Sequence, residues 1–319
     1  MKGLELARRY WEECGRPMLA EFPELADKVA AGLCGSGSEC FGYDDDVSRD
    51  HDFEPGFLLF LPLDAEKPID RRTLFRLERA YDGLPKEFCG VKRERMIPTG
   101  GRRHGVMDTG AFFRSKCGSP NGKLTTADWL RVPEESLAEA VNGAIFSDPS
   151  GEVTAIRARL SFYPEDVRRK KLAGNLLLMH QAGLYNYPRI LRHGEEASAQ
   201  LAAIQFVEAS MRAVFLLNRR YRPFYKWAFR ALRELPLLGE LADSFAYLLT
   251  SENDGESARV KSAVMEDVCA LILGQTGELL EGQNRQKPDA LSDPESAAYA
   301  LNAGIADEEL RNLHILAGV

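Results

Sequence analysis

Residues 33–61 read LCGSGSECFGYDDDVSRDHDFEPGFLLFL and connect two apolar runs through a polar, acidic segment. The stretch begins at the end of KVAAGLC, a short apolar run bounded by glycine, and it ends in a second apolar run. Both apolar runs are typical of buried strands. A glycine–serine cluster and a run of aspartates lie between them. Carboxylates this close repel one another, so a fold retains them only where hydration, a cationic partner or a metal ion offsets the repulsion.

Two of these aspartates, Asp50 and Asp52, are spaced to bind a metal ion. In an extended chain, side chains two residues apart leave the same face, whereas His51 points to the other face. Paired carboxylates form the oxygen-rich site that Mg²⁺ prefers, and two such ions activate an attacking hydroxyl and stabilise leaving phosphate oxygens. The aspartates at 44–46 follow Gly42 and are interpreted as a solvated or capping loop.

The cluster Gly35-Ser36-Gly37-Ser38 has the composition of a phosphate-binding turn. Small residues after a strand let backbone N–H groups and hydroxyls approach phosphate oxygens closely. Arg49 has two interpretations that the sequence leaves open, because a guanidinium here either neutralises the aspartates or helps to hold a triphosphate.

The remaining pattern predicts two domains. An amphipathic helix follows Asp70, a strand leading into a helix is expected in HGVMDTGAFF, and residues 143–162 are predicted to form a hairpin with its turn at 148–151. From Pro164 onward, long helical periods run without a strand signal. We therefore predict an α+β protein, with a mixed α/β domain that contains a small sheet over residues 1–160 and an all-α helical bundle over 161–319.

Composition limits the class of protein. The chain has 319 residues and is 45% hydrophobic, yet we see no apolar run of membrane-spanning length. The N-terminus is typical of an amphipathic helix rather than a signal peptide, so we expect a cytoplasmic protein without membrane contact. The six cysteines are scattered and form no Cys-x-x-Cys pair, which favours buried reduced thiols over a zinc cage or disulfides.

Positive charge is concentrated in residues 157–233, which hold 15 Lys and Arg against 5 Asp and Glu in a chain of net charge −7. Such a segment indicates either a surface that faces an anion or a solvated helical face. In the first case Lys226 binds a triphosphate between the two domains, and Tyr221 or Tyr225 stacks on a base. In the second case, the neighbouring aromatic residues belong to the core and the cations are exposed to solvent. Glu208 is interpreted as an ion-pair partner of Arg212.

Four blocks of sequence together resemble a known family. They are GSGSECFGYDDDVSRDHDF, FSDPSGEVTAIRARLSFYPEDV, LYNYPRILRHG and LLNRRYRPFYKWAFRAL. The chain resembles the nucleotidyltransferase-fold superfamily related to DNA polymerase beta, which includes the kanamycin and streptomycin nucleotidyltransferases. More narrowly, it resembles the bacterial branch catalogued as domain of unknown function 4037.

The resemblance implies transfer of a nucleoside monophosphate from ATP or another nucleotide triphosphate to a hydroxyl, with two Mg²⁺ ions held by three carboxylates. Gly37 and Ser38 match the phosphate-contacting pair, and Asp50 and Asp52 match the first two metal ligands. The third carboxylate of the family sits on a later strand, for which our candidate is Asp108. The acceptor is open among a small molecule, tRNA and a protein.

Other functions fit the residues less well. No P-loop motif occurs, and Cys40 stands where a dinucleotide-binding turn that begins at Gly35 needs its last glycine. A His-Asp phosphohydrolase needs a histidine ligand before His51, and none precedes it. The alternative that stays open is a non-catalytic module that binds a nucleotide or a partner on the same scaffold.

Overall fold

The computed structural model describes residues 1–47, 53–63, 69–93, 103–281 and 293–319. These residues form two compact units. The first unit comprises Met1–Leu124 and Val132–Ser161, and the second comprises Thr125–Arg131 and Phe162–Val319. The architecture is α+β, as predicted, with the strands in the first unit and helices in the second.

The first unit is built on a four-stranded mixed sheet with the strand order β5-β2-β1-β6. A separate two-stranded ribbon pairs β3 with β4. The strands are β1 Ala30–Leu33, β2 Leu58–Leu61, β3 Glu87–Phe88, β4 Val91–Lys92, β5 Gly105–Asp108 and β6 Ala144–Ser147. The apolar runs at each end of the opening stretch are therefore β1 and β2, as the sequence predicts.

Strand register fixes which loops meet. Strand β1 runs antiparallel to both β2 and β6, and Leu58 pairs with Gly32 while Ala144 pairs with Leu33. Strand β5 runs parallel to β2, so that Gly105 pairs with the same Leu58. The end of β1 therefore shares one edge of the sheet with the starts of β2, β5 and β6. We call this edge the site edge.

Helices surround this sheet in the first unit. They are α1 Gly3–Tyr10, α2 Arg16–Ala20, α3 Pro23–Ala26, α4 Ser38–Phe41, α5 Arg71–Asp82, α6 Thr109–Cys117, α8 Glu134–Val141 and α9 Glu152–Arg159. A π-helical segment, Trp11–Gly15, joins α1 to α2. Helix α5 begins as the sequence predicts, because the Asp70 carboxylate accepts hydrogen bonds from the backbone N–H groups of Arg72 and Thr73, both at 3.0 Å.

The predicted hairpin in residues 143–162 is wrong in its second arm. Strand β6 is followed by the expected turn, but the chain then enters α9 instead of returning as a strand. Val153, Ile156 and Leu160 are buried at helical spacing. The Asp148 carboxylate accepts a hydrogen bond from the Thr154 N–H at 2.7 Å, which stabilises the first turn of the helix. Strand β6 finds its partner in β1 instead, a long-range pairing that local pattern does not reveal.

The core of the first unit is organised around Tyr81 on α5. Its hydroxyl donates to the Phe57 carbonyl at 2.7 Å and accepts from the Phe57 N–H at 3.1 Å. The same carbonyl accepts from the N–H of Gly105 at 2.9 Å. Tyr81 thus links α5 to the residue that precedes β2, and burial raises the pKa of its hydroxyl, which stays protonated.

Replacing Tyr81 with Phe removes this hydroxyl and leaves the buried peptide group of Phe57 with fewer partners. We expect Tyr81→Phe to lower the free energy of unfolding by about 1–3 kcal/mol, the usual cost of a buried polar group left without its partner. Chemical denaturation followed by circular dichroism measures the change. Tyr299→Phe, at a side chain that is 55% exposed, is the control and should leave stability unchanged. Equal stabilities of the two variants would contradict this account of the core.

The second unit is all helical. It contains α7 Thr126–Arg131, α10 Glu165–Met179, α11 Tyr187–Arg192, α12 Glu196–Leu217, α13 Tyr225–Arg233, α14 Leu241–Thr250, α15 Ser257–Glu281, α16 Pro294–Ala303 and α17 Glu308–Asn312. A π-helical segment, His180–Asn186, connects α10 to α11. Helix α10 packs against both α12 and α16, which makes it central to the unit.

Helix α12 corrects the expectation that no apolar run in the chain has membrane-spanning length. Among the described helices it is the one that is long and apolar enough to cross a membrane, by length and composition alone. Its apolar window is 67% buried inside the structure. This burial is typical of a core helix of a soluble protein, in which other helices cover the apolar surface.

Several cations of the basic segment form ion pairs within the second unit. Glu165 pairs with Arg168 at 2.8 Å, with Arg169 at 3.2 Å and with Arg219 at 2.7 Å. Partial burial raises the pKa of the Glu165 carboxyl, but the hydrogen bond and charge of Arg168 and the charge of Arg219 outweigh it, so the net shift is downward. The carboxylate therefore stays ionised and holds its arginines.

Buried lysines of the basic segment also bond to oxygen atoms within the second unit. The Lys170 ammonium is buried and donates to the Asn302 side-chain oxygen at 2.8 Å and to the Leu313 carbonyl at 2.7 Å. Lys171 donates to the Gly318 carbonyl at 2.6 Å. These contacts fasten the C-terminal residues to α10. Positive charge that the sequence assigns to a surface is thus partly internal, where it bonds carbonyl oxygens and carboxylates.

Candidate functional site

The glycine–serine cluster forms a tight turn at the site edge, directly after β1. Gly35 has a φ of +115°, a conformation that side chains other than glycine rarely adopt. The side chain of Asn142, at the end of α8, forms two hydrogen bonds with the backbone of Gly35. Its side-chain oxygen accepts from the Gly35 N–H and its amide donates to the Gly35 carbonyl, both at 2.8 Å. The turn is therefore fixed by a residue that enters β6.

An arginine lies over the second glycine of the turn. A Cβ added to Gly37 would stand 1.9 Å from an Nη atom of Arg103 and 2.4 Å from an Oε atom of Glu39. Glu39 and Arg103 form an ion pair that is mostly shielded from solvent. Gly37 is thus needed for close approach, and its missing side chain leaves room for a guanidinium beside the turn.

Register explains why Arg103 reaches this place. It precedes β5, which begins at the site edge, just as Asn142 precedes β6 at the same edge. His104 follows it, and the His104 Nδ1 lies 3.1 Å from an Oε atom of Glu54, in the segment that leads into β2. Residues from the loops before β5 and β6 therefore contact the turn, and His104 joins the first of these loops to the segment before β2.

More positive charge lies around the buried Cys34 at the base of the turn. Burial raises the pKa of the Cys34 thiol to about 11, and the nearby Arg157 and Lys116 only partly oppose the shift. Arg157 also donates to the Val141 carbonyl at 2.7 Å. A thiol with this pKa is neutral near pH 7, so Cys34 is a packing residue rather than a nucleophile or metal ligand. The expectation of buried reduced cysteines holds here.

The chemical result is a cradle suited to phosphate. It combines the Ser36 and Ser38 hydroxyls with a guanidinium at Arg103, whereas the N–H groups of Gly35 and Gly37 already donate to Asn142 and to the Gly35 carbonyl. Guanidinium and backbone N–H groups are the donors that bind phosphate oxygens with charge-assisted hydrogen bonds. Ser36 is exposed and Gly37 and Ser38 are half-buried, so the turn is open to solvent.

Three predicted site residues, Arg49, Asp50 and Asp52, lie outside the described residues. Their proposed roles stay predictions. The described chain resumes at Phe53, whose ring lies 3.2 Å from the position that a Cβ on Gly3 would take, close to Glu39. Strand β2 begins at Leu58.

Asp44, predicted to belong to a solvated or capping loop, is a buried cap of α1. Its carboxylate accepts from the Gly3 N–H at 2.9 Å and lies 3.6 Å from the Lys2 ammonium. The helix begins at Gly3, so the carboxylate stabilises an otherwise unpaired N–H group at its N-terminus. Asp45 and Asp46 are exposed, in keeping with a loop. The first aspartate of the run therefore serves the fold.

The structure does not bring Asp108, the candidate third metal ligand, to the turn. Asp108 ends β5 and pairs with Leu61 at the end of β2, whereas the site edge is where both strands begin. Three residues of strand separate Asp108 from Gly105, which corresponds to about 10 Å. Its carboxylate accepts from the Ala111 N–H at 2.6 Å and caps α6. The sequence signal that selected Asp108 was therefore the signal of a helix N-cap.

The predicted nucleotide contacts of the second half lie at the start of α13. Tyr225 is 71% exposed, and the Lys226 ammonium sits 4.9 Å from the centre of the Trp227 ring. Tyr221 is buried against Tyr163 and is therefore a core residue. Glu208 pairs with Arg212 at 3.6 Å, as predicted, and also with Arg222 at 3.0 Å. Lys226 and Tyr225 are thus accessible, and their part in binding stays a prediction.

Sequence reasoning missed Arg103 and Asn142, the two residues that shape the turn. Neither stands in a recognisable motif, and 68 residues separate Arg103 from Gly35 in the chain. The usable signal was positional: each stands two residues before a short strand, and β5 then pairs with β2 while β6 pairs with β1. Their role follows from strand order, which the sequence did not specify.

Residues 129–228 match the family model described as Domain of unknown function (DUF4037). The predicted resemblance to this branch is confirmed by the match. The matched segment includes α8, β6 and the first part of the helical unit, together with Asn142. The Gly35–Ser38 turn lies outside it.

One solved structure similar to this chain is the crystal structure of a nucleotidyltransferase-like protein from Exiguobacterium sibiricum 255-15. The two chains are 11% identical, with a TM-score of 0.37, and the similarity covers 86% of this chain and 81% of the other. A likeness of this size does not by itself establish a shared activity. No curated protein matches the chain.

Replacing Asn142 with Ala removes both hydrogen bonds that hold Gly35. We expect Asn142→Ala to destabilise the first unit by about 1–3 kcal/mol and to accelerate hydrogen exchange at the Gly35 amide. Asn142→Asp is the matched variant, because it keeps an acceptor for the Gly35 N–H but cannot donate to the Gly35 carbonyl. Its exchange rate should lie between those of the wild type and the alanine variant. Unchanged exchange in the alanine variant would show that Asn142 does not fix the turn.

Proposed function

We propose that this protein is a Mg²⁺-dependent nucleotidyltransferase that transfers a nucleoside monophosphate to a hydroxyl of an acceptor and releases pyrophosphate. The observation that carries the proposal is the convergence of the Gly35–Ser38 turn and Arg103 at one sheet edge. Serine hydroxyls and a guanidinium are donors that suit a polyphosphate, and ATP is our first candidate for the donor nucleotide.

The chain's own residues supply binding and orientation. The turn holds the β- and γ-phosphates, while Arg103 exchanges part of its contact with Glu39 for phosphate oxygens and offsets their charge. The acceptor hydroxyl loses its proton to solvent water, its oxygen bonds to the α-phosphorus as the bond from that phosphorus to the bridging oxygen breaks, and the electron pair leaves with pyrophosphate. Lys226 and Tyr225 are proposed to contact the triphosphate and the base.

Asp50 and Asp52 are the residues proposed to hold Mg²⁺. Two carboxylates that precede β2 form an oxygen donor set of the type that Mg²⁺ prefers. Phe53 and Glu54, the next residues in the chain, belong to the segment that enters β2 at the site edge. Bound metal would polarise the α-phosphate and neutralise charge on the leaving group. Arg49, in the same stretch, is proposed to assist in holding the triphosphate.

A non-catalytic nucleotide-binding module is the second candidate, and the position of Asp108 favours it. This carboxylate caps α6 at the far edge of the sheet, so it does not complete a set of three at the turn. Two carboxylates bind a metal–nucleotide complex, whereas the superfamily's chemistry uses three. Both candidates predict metal-dependent nucleotide binding and differ in whether pyrophosphate is released.

The first experiment is calorimetric titration of ATP, CTP, GTP and UTP with and without Mg²⁺. We expect Asp50→Asn and Asp52→Asn to abolish the effect of Mg²⁺ on affinity, whereas Asp27→Asn, at an exposed aspartate, should retain it. Arg103→Gln should weaken nucleotide binding by about 10–100-fold, because a hydrogen bond to a charged group contributes about 1.5–3 kcal/mol. Arg16→Gln, at an exposed arginine, is its control.

Binding with equal affinity whether or not Mg²⁺ and the aspartates are present would contradict the metal assignment. A pyrophosphate release assay with an acceptor panel of aminoglycosides, tRNA and proteins separates the two candidates. Release that depends on one acceptor supports the enzyme. Metal-dependent binding without release across the panel supports the binding module. A cytoplasmic location is part of the proposal, since the donor nucleotides are abundant there.

A further inference from the structure

We propose that His180, Asp293 and Glu295 form a binding site for one first-row divalent metal cation in the helical unit. One ring nitrogen of His180 and one oxygen from each carboxylate lie within 4.8 Å of one another. The His180 Nδ1 is 3.8 Å from the Asp293 Oδ1, and its Nε2 is 3.4 Å from the Glu295 Oε2. With neutral imidazole this set carries two negative charges and one nitrogen donor.

Tertiary structure assembles the three donors from distant parts of the chain. His180 opens the π-helical segment that continues α10, and Asp293 and Glu295 stand at the N-terminus of α16. Helices α10 and α16 pack against each other along the core of the unit. A single π-helical turn inside an α-helix is frequently found where a side chain is displaced toward a functional site. The segment sets the direction in which the His180 ring leaves the helix.

The Asp293 carboxylate is already held in position. Its Oδ1 accepts from the Ser296 N–H at 3.0 Å, and its Oδ2 accepts from the Ser296 hydroxyl at 2.8 Å. These bonds make Asp293 the N-cap of α16 and restrict its rotamers. The positive end of the helix dipole attracts anionic groups to this terminus, where both carboxylates stand.

His180 supplies an independent indication of a ligand. Its Nδ1 is buried and has no hydrogen-bond partner among the described residues, and the Asp293 Oδ1 at 3.8 Å is beyond hydrogen-bond distance. A buried polar atom without a partner is costly, and native folds satisfy almost all of them. A cation between the ring and the carboxylates would satisfy both the nitrogen and the like charges of Asp293 and Glu295.

The donor types select the class of metal. Imidazole together with carboxylate oxygens suits zinc and its first-row neighbours, whereas Mg²⁺ prefers oxygen alone. Zinc donors lie about 2.0–2.2 Å from the ion, so two of them stand no more than about 4.4 Å apart, and a small rotation of these side chains reaches that geometry. The Glu295 side chain is 46% exposed, so solvent reaches the remaining coordination position.

The test is calorimetric titration of the full chain with Zn²⁺ alone, in a Cys89→Ser background, because Cys89 is an exposed thiol and thiolate is a zinc ligand. We expect one Zn²⁺ per chain, and we expect His180→Gln and Glu295→Gln each to weaken binding at least about tenfold. His193→Gln, at an exposed histidine of the same unit, is the matched control and should bind as the background does.

Titration with Co²⁺ gives a spectroscopic readout, in which a visible absorption band should appear in the background protein and disappear in the variants. Because Glu295 is half exposed, Glu295→Gln remains informative if His180→Gln does not fold. The Asp50→Asn/Asp52→Asn variant should keep the zinc site, which separates it from the proposed magnesium site. No saturable Zn²⁺ binding, or equal binding by Glu295→Gln, would overturn the proposal and leave these residues as an ion-paired histidine.

Discussion

The antiparallel pairing of β1 with both β2 and β6 is the constraint on which the candidate site depends. Because β1 ends where its two neighbours begin, the glycine–serine turn meets the loops that lead into those strands. The parallel pairing of β5 with β2 adds a third loop to the same edge. Arg103 and Asn142 reach the turn for this reason alone, although each is far from it in the chain.

The electrostatic state of the turn follows from this arrangement. Arg103 is bound to Glu39, so the guanidinium is held beside Gly37 before any ligand arrives. A preorganised cation loses less side-chain entropy on binding than a flexible one. The carboxylate of Glu39 also competes with an incoming phosphate, so binding requires an exchange of partners. The affinity of the turn for an anion is the balance of these two effects.

The helical unit uses charge for a different purpose. Its buried Arg168 and Lys170 bond carboxylate and carbonyl oxygens, and in this way they join α10 to α12 and to the C-terminal residues. A buried cation is tolerated where its donors find acceptors, as they do here. The number of Lys and Arg residues in the basic segment therefore overstates the positive charge that is exposed on the surface.

Part of the candidate site was predictable because it rests on local rules. The turn at Gly35–Ser38 follows from small residues after an apolar run, and the cap of α5 follows from an aspartate, Asp70, before a helical period. Asp108 shows the limit of such rules, since an aspartate at the end of a strand looks the same whether it binds metal or caps the next helix. Its pairing with Leu61 distinguishes the two.

The sequence by itself determined the α+β class, the first two strands, the phosphate-type turn and the change to an all-helical second half, because periodicity and turn chemistry act within a few residues. Long-range packing places Arg103 and Asn142 at the turn, Asp108 at the opposite edge, and His180 beside Asp293 and Glu295. Each of these depends on strand register or helix packing between segments far apart in the chain, and no local pattern encodes which distant segments will pair.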